Sequence, residues 1–182
     1  MRIRLLIVGA GGFGAAVAQA AQAMGLFDLA GFVDDRWPDL AAVPAGPVVG
    51  RLAGLAALRD RADAVALAIG NNAVRERAFE QARASGFALP AIVHPVAWLA
   101  PSVQAGAGVL VMARAVVGAG CVLGDGALVN SGAVLDHDCE VGRFAHVGIA
   151  ASMGGGARLG PCATLPQSAA LRAGAVRLAN DA

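Results

Sequence analysis

Residues 127–153, ALVNSGAVLDHDCEVGRFAHVGIAASM, contain the pattern that decides the fold of this chain. From Val129, every sixth residue in this stretch is a large apolar one, and the residue two places before each of these is small. Because strands of a hexapeptide β-helix turn one large and one small side chain inward per repeat, the pattern predicts a triangular β-helix. The large positions extend on both sides as Val111, Val117, Leu123, Val129, Leu135, Val141, Val147, Met153, Leu159, Leu165 and Leu171.

The small positions form a second register of the same period. It supports the β-helix independently of the first, because chance alternation would break a double register held over about sixty residues. Cys121 and Cys139 belong to it and are predicted to fill the interior as small apolar side chains, which disfavours a metal or redox role for them. Its members are Val109, Ala115, Cys121, Ala127, Ala133, Cys139, Ala145, Ala151, Ala157, Ala163 and Ala169.

Two of the three histidines lie in the repeat region, at positions between the inward ones, and are predicted to point away from the interior. His137 stands two residues after inward Leu135, at a predicted corner between Asp136 and Asp138, and His146 precedes an inward residue on a flat side. A carboxylate beside an exposed imidazole can hold one tautomer and raise its basicity, as a general base requires near neutral pH. The alternative is a polar corner that is merely solvated.

The first half of the chain lacks the six-residue repeat and has a pattern of alternating strands and helices. Residues 3–8, IRLLIV, predict a buried strand, Gly9 to Gly14 a glycine turn, and residues 13–24 a helix. GAGGFG fits G-x-G-x-x-G, and the next apolar run ends at Asp34 and Asp35, about where an acid meets a ribose in a dinucleotide fold. The glycines would aim backbone N–H groups at a phosphate.

Further alternation follows up to about residue 90. It predicts a helix over 52–59, a strand over 64–69 and a helix over 73–85, whose Arg75, Glu76 and Arg77 are interpreted as a solvated face. About 90 residues make half a dinucleotide fold, enough for a mononucleotide. We therefore expect an α/β half-Rossmann domain over 1–90 and an all-β β-helix domain over 91–182. An NAD-dependent oxidoreductase is the alternative suggested by the glycine motif, and the half-sized domain argues against it.

Composition excludes several other classes. A net charge of +1, no run of Lys or Arg, and 4% aromatic residues argue against nucleic acid binding. Three cysteines without a C-x-x-C pair argue against a zinc site or disulfides and fit a reducing compartment. Residues 5–27 are uncharged but are interrupted by glycines, so neither a signal peptide nor a membrane span is expected, and we expect a cytoplasmic protein.

Four motifs in a fixed order carry a family resemblance. They are F-x-D-D at 32–35, A-I-G-N-N-x-x-R at 68–75, I-x-H-P at 92–95, and the L-V-N-S-G-A-V-L-D-H-D-C segment that begins at 128. The chain resembles the bacterial sugar O- and N-acetyltransferases, which include UDP-4-amino-sugar N-acetyltransferases and sialic acid O-acetyltransferases. The resemblance implies a left-handed β-helix, acetyl-CoA as co-substrate, no metal, and a homotrimer with active sites between adjacent β-helices.

The same resemblance implies roles for individual residues. His137 matches the family's general base and Asp138 the acid that orients it. His146 and the backbone N–H of Gly155 match positions near the thioester, the latter as an oxyanion donor. Asn130 matches a substrate contact, and the nucleotide of a UDP-sugar would be bound by Gly9, Gly11, Gly12, Asp34 and Asp35. Phe13 departs from the family pattern, which often has histidine there.

The end of the chain is the other departure. The aliphatic register stops at Leu171, and Arg177 occupies the next inward position, so we expect a β-helix shortened at its C-terminus. Three functions stay open on the sequence. They are N-acetylation of a nucleotide-activated amino sugar, O-acetylation of a sialic acid or other sugar hydroxyl, and a non-catalytic trimer that binds a nucleotide-sugar without a complete CoA site.

Overall fold

The computed structural model describes residues 2–179 and divides into two compact units, Met1–Pro90 and Ala91–Ala182. The first unit is α/β and the second is a β-helix, which confirms the predicted fold class. Among residues 2–179, no helix combines the length and the apolar character that crossing a membrane requires.

The first unit is built on a five-stranded sheet with the strand order β3-β4-β2-β1-β5. Strands β1, β2, β4 and β5 pair in parallel, and β3 pairs antiparallel with β4. Leu5, Leu6 and Ile7 of β1 are fully buried at the centre of the sheet. The strands are β1 (Ile3–Val8), β2 (Phe27–Val33), β3 (Ala42–Val43), β4 (Gly46–Gly50) and β5 (Ala64–Leu67), and the helices are α1 (Gly12–Ala23) and α2 (Asn72–Ala84).

Three details of the first unit differ from the sequence prediction. The helix predicted over 52–59 is a 3-10 helix over Leu52–Leu58, and Leu55 is the one buried residue in it. The pair β3 and β4 was not predicted, because Pro44 and Pro47 in this segment are read as strand breakers. Pro47 is nevertheless tolerated here, since it lies in the short two-residue pairing with β3.

The third difference is Arg75, which was interpreted as part of a solvated helix face and is completely buried. Its guanidinium donates to the carbonyl oxygens of Ile69 at 2.8 Å and Gly70 at 3.3 Å, and to Oδ1 of Asn72 at 2.9 Å. Arginine therefore satisfies the backbone carbonyls that follow β5, where no further strand residue can donate to them. Arg77, two residues later, is exposed as expected.

Over its described residues, 91–179, the second unit is a β-helix of fifteen two-residue strands in three parallel five-stranded sheets. We call these faces 1, 2 and 3 in chain order. Face 1 contains Ile92–Val93, Leu110–Val111, Leu128–Val129, His146–Val147 and Thr164–Leu165. Face 2 contains Trp98–Leu99, Val116–Val117, Val134–Leu135, Ser152–Met153 and Ala170–Leu171. Face 3 contains Gln104–Ala105, Val122–Leu123, Glu140–Val141, Arg158–Leu159 and Val176–Arg177.

The interior of the β-helix is the predicted double register. From Val109 to Leu165, the side chains of both registers are at most 2% exposed and form one continuous apolar cluster. The backbone repeat continues past Leu171, because Val176–Arg177 pairs in parallel with Arg158–Leu159. Arg177 fits this half-buried position by donating from Nε to the carbonyl oxygen of Thr164 at 2.9 Å.

Candidate active site

His137 occupies the turn that joins face 2 to face 3. Asp138 adopts a left-handed backbone with φ of 58°, and this geometry turns its carboxylate back towards the preceding imidazole. Nδ1 of His137 lies 2.8 Å from Oδ2 of Asp138, while the His137 backbone N–H donates to Oδ1 of Asp136 at 2.9 Å. The D-H-D corner is therefore an ordered pair of hydrogen bonds.

The two carboxylates set the chemistry of the imidazole. The hydrogen bond to Asp138 and then the charge of Asp136 raise the pKa of His137 above its ordinary value. Because Nδ1–H donates to Asp138, the neutral ring presents its lone pair at Nε2. The His137 side chain is 63% exposed, so the ring is accessible to a substrate, and Nε2 lies 3.8 Å from Oδ2 of Asp136. A basic, oriented and accessible nitrogen can accept a proton.

Gly155 lies directly against the His137 ring in the next coil. A methyl group added to Gly155 would stand 2.7 Å from both Cε1 and Nε2 of His137, so only glycine allows the ring to pack here. The backbone N–H of His137 donates to the carboxylate of the preceding residue, Asp136. Gly155 is preceded by Gly154, which has no side chain that could accept its N–H in the same way. Within residues 2–179, no acceptor contacts the Gly155 N–H. Gly155, whose backbone N–H has no acceptor there, therefore packs against the His137 ring.

Asn130 and His146 form a second polar pair on a different part of the prism. His146 projects from face 1 and is half-buried, and Nδ2 of Asn130 lies 3.2 Å from its Nε2. Oδ1 of Asn130 accepts the Ser131 backbone N–H at 2.8 Å, which fixes the amide orientation. A full strand of face 2 separates Asn130 from His137, and a strand of face 3 separates His137 from His146. One chain therefore does not place the two pairs on the same corner.

The interior cysteines are buried beneath this site. Cys121 and Cys139 are buried in successive coils. Burial raises the pKa of Cys139 to about 11 and also raises that of Cys121. Both are therefore protonated thiols at neutral pH. Cys121 Sγ donates to the carbonyl oxygen of Asp136 at 2.9 Å and so supports the His137 corner from inside.

The glycine turn of the first unit contains glycines of two kinds. Gly9 has φ of 104°, and a methyl group there would stand 2.5 Å from the Ala68 carbonyl oxygen. A methyl group on Gly14 would overlap the Gly9 carbonyl. Gly11 and Gly12, in contrast, have no atom within 4 Å of an added methyl group. Internal packing therefore requires glycine at positions 9 and 14. At positions 11 and 12 there is open space, at the start of α1.

Asp34 holds the turn in place. Its carboxylate accepts the Ala10 backbone N–H at 2.8 Å and binds the Arg36 guanidinium at 2.7 and 2.8 Å. The hydrogen bond from Arg36 is the main reason that the pKa of Asp34 lies well below its usual range. Both carboxylate oxygens thus have partners within the chain. Arg36 was not predicted, although its place two residues after Asp34 is a signal for such a pair.

A pocket of about 200 Å³ opens at the carboxyl ends of the parallel strands, where ligands bind in open α/β sheets. Asp34 and Asp35 line one side of it, and Oδ1 of Asp35 accepts the Leu52 backbone N–H at 3.0 Å. The remaining lining is mostly apolar: Val8, Gly9, Val33, Leu52, Ile69 and Val74. The first unit therefore has a small, mainly apolar pocket next to its glycine turn.

Comparison with known proteins gives matches over almost the whole chain. The acetyltransferase domain of PglB from Neisseria gonorrhoeae FA1090 is 37% identical with a TM-score of 0.75, covering 97% of this chain and 91% of that domain. PerB from Caulobacter crescentus, solved with CoA and GDP-perosamine, is 35% identical with a TM-score of 0.74, covering 95% of this chain and 87% of PerB.

The same PglB domain in complex with acetyl coenzyme A matches at 32% identity and a TM-score of 0.67, covering 99% of this chain and 98% of that one. Residues 4–82 match the model of the PglD N-terminal domain family. Among curated proteins no sequence matches the chain.

Proposed function

This chain belongs to the left-handed β-helix family of bacterial sugar acetyltransferases, and we propose that it N-acetylates a nucleotide-activated amino sugar with acetyl-CoA as the donor. Both relatives are acetyltransferases, and PerB was solved with CoA and with GDP-perosamine.

The pairing of His137 with Asp138 is the single observation that carries the proposal. An ordered hydrogen bond at Nδ1 leaves Nε2 free to accept a proton, and Gly155, which packs against the same ring, would supply a backbone donor. Acetyl transfer to an amine needs both groups, because a proton must leave the nitrogen while negative charge develops on the thioester oxygen. The raised pKa of His137 makes its neutral form a stronger base.

In the proposed reaction, the amine nitrogen of the sugar attacks the thioester carbonyl carbon directly. The N–C bond forms, His137 Nε2 accepts the proton that the nitrogen loses, and the C–S bond breaks. The imidazolium then returns the proton to the CoA sulfur, so the products are the amide and the free thiol. Asp138 stabilises the imidazolium between these steps through its 2.8 Å contact with Nδ1. No cysteine nucleophile is needed.

Gly155 supplies the oxyanion donor in this proposal. Within residues 2–179 no acceptor contacts its N–H, and the close contact with the His137 ring keeps Gly155 and His137 on one corner. A preorganised donor of this kind costs no reorganisation when charge develops. His146, oriented through Asn130, would contact the donor near the thioester, and Asn130 would contact the acceptor sugar.

We assign the nucleotide of the acceptor to the first unit. Gly11 and Gly12 present open space at the N-terminus of α1, where backbone N–H groups attract phosphate oxygens. Asp35 lines the neighbouring pocket and could accept from a ribose or base. Because Arg36 and Ala10 occupy both oxygens of Asp34, we assign Asp34 to holding the glycine turn. Within residues 2–179, no group of three or more His, Cys, Asp or Glu side chains could hold a metal ion.

We further propose that a homotrimer completes the active site. His137 stands on the corner between faces 2 and 3, and Asn130 and His146 lie beyond the strands on either side of it. Residues that cannot share a corner within one copy can meet when two β-helices lie side by side. A neighbouring copy would then supply Asn130 and His146 to the site of His137.

Acceptor selectivity tests the proposal. The protein is mixed with acetyl-CoA and one of three acceptors, which are a UDP- or GDP-linked 4-amino sugar, the same nucleotide-sugar with a hydroxyl in place of the amine, and a sialic acid. We expect release of CoA thiol with the amino sugar, and a product acetylated on nitrogen by mass spectrometry. Turnover of a hydroxyl acceptor instead would establish O-acetylation. Nucleotide-sugar binding without acetyl-CoA binding would indicate a non-catalytic module.

A further inference from the structure

Gly120 lies directly beneath the carboxylate that holds His137. It occupies the turn between faces 2 and 3 in the coil before His137, with φ of 73°. The Asp138 backbone N–H donates to the carbonyl oxygen of Ala119 at 2.8 Å, which seats Asp138 over this turn. A methyl group on Gly120 would overlap Oδ1 of Asp138, the oxygen of the carboxylate that does not contact His137.

The backbone conformation alone does not explain this glycine. Gly174, on the same edge of the prism, has a similar φ of 66° and no atom within 4 Å of an added methyl group. Other residues also adopt this left-handed conformation in the β-helix, among them Arg114 and Cys162. Gly174 has no coil above it within residues 2–179, whereas Gly120 has the Asp138 carboxylate directly above it.

We propose that Gly120 is a positioning residue for the Asp138 and His137 pair, and that the absence of its side chain lets the Asp138 carboxylate reach Nδ1. The catalytic consequence rests on the function proposed above. Gly120 does not touch substrate and acts only through Asp138. Its own N–H donates to the Ser102 hydroxyl at 3.0 Å, which anchors the turn to the coil below.

The expected effect of a side chain at position 120 is local. Asp138 Oδ1 is the end of a rotatable side chain, so a methyl group displaces the carboxylate while the backbone of the coil stays in place. The displaced carboxylate loses its aligned contact with Nδ1 of His137. Histidine then becomes less basic and its ring is no longer held in one orientation.

An NMR titration of the full-length protein measures this directly. Imidazole resonances of the three histidines are followed with pH in the wild type, Gly120→Ala, Asp138→Asn and the matched control Gly174→Ala, and His137→Asn assigns the His137 signal. We expect Gly120→Ala to lower the pKa of His137 by at least half the shift that Asp138→Asn produces. Gly174→Ala, which adds the same methyl group at a similar φ, leaves the pKa unchanged.

Turnover provides the second measurement. We expect kcat of Gly120→Ala to fall about tenfold at neutral pH, less than the roughly 10²–10⁴-fold contribution of a general base, with KM little changed. Should Gly120→Ala fail to fold, Gly120→Asn replaces it, because asparagine tolerates the left-handed conformation and still carries a Cβ.

Two results would overturn the proposal. One is a His137 pKa that stays at the wild-type value in a folded Gly120 variant, and the other is an equal shift in Gly174→Ala. The titration requires neither acetyl-CoA nor an acceptor. A wild-type protein that fails to transfer acetyl groups would therefore contradict the proposed function without touching the positioning of Asp138 by Gly120.

Discussion

The Asp138 carboxylate lies 2.8 Å from Nδ1 of His137, and its left-handed backbone directs it there from the adjacent position in the chain. In the proposed reaction, two neighbouring residues of one turn would therefore act as the base and its orienting acid. Their arrangement is similar to that of the histidine and acid in a hydrolase triad, and the acceptor amine would take the place of the serine nucleophile.

Replacing Asp138 by Asn should change the pH profile of the reaction in a defined direction. Asp138 is the main cause of the raised pKa of His137, so its loss lowers that pKa. Because the base must be neutral to accept a proton, the rise of kcat/KM with pH moves to lower pH. The plateau falls by about an order of magnitude, since a less basic, unoriented imidazole is a poorer base. A profile that keeps its wild-type midpoint would contradict the pairing.

Two substitutions in the glycine turn should differ in their effect on the free energy of unfolding. Gly14→Ala forces a methyl group into the Gly9 carbonyl and should cost about 1–3 kcal/mol in the free energy of unfolding. Gly12→Ala meets no atom within 4 Å, so stability should stay within about 1 kcal/mol of the wild type. Thermal denaturation measures both values.

Nucleotide affinity separates the two glycines further. We expect Gly12→Ala to weaken binding of UDP or GDP about tenfold, equivalent to about 1.4 kcal/mol, because its methyl group would occupy the space proposed for phosphate. Calorimetric titration measures this. Unchanged nucleotide affinity in folded Gly12→Ala would remove the start of α1 from the binding site.

Arg75 should contribute far more to the free energy of unfolding than Arg77, two residues later in the same helix. Arg75→Met keeps an apolar stem but leaves the Ile69 and Gly70 carbonyls without these donors, and should cost about 2–4 kcal/mol. Arg77→Met is the matched control on the exposed face of α2 and should stay within about 0.5 kcal/mol of the wild type. Equal effects in chemical denaturation would contradict the structural role of Arg75.

The β-helix could be predicted from the sequence almost residue by residue. Its period of six places the same two kinds of side chain inside at every strand, so Leu135 and Cys139 fix the orientation of His137 between them. The corner position of His137 and the outward position of His146 follow from that register alone. What the register could not predict is the conformation of Asp138, because φ of 58° depends on turn geometry.

The first unit was less predictable for physical reasons that concern individual residues. Arg75 looked solvated because arginine is rarely buried, and only the carbonyls after β5 explain its position. The Asp34 contact with Ala10 joins residues 24 positions apart, and no local pattern reports it. The repeat stacks Asp138 over Gly120, but it does not report the side-chain conformation that brings Oδ1 of Asp138 onto Gly120.

Acetyl transfer by His137→Asn tests the central claim most directly. The measurement is the release of CoA thiol from acetyl-CoA with a nucleotide-linked 4-amino sugar, compared with the wild type under the same conditions. Asparagine cannot accept the proton, so we predict a fall in kcat of roughly 10²–10⁴-fold, with the binding of acetyl-CoA and nucleotide retained. A folded variant that keeps more than about a third of the wild-type kcat would show that His137 is not the general base.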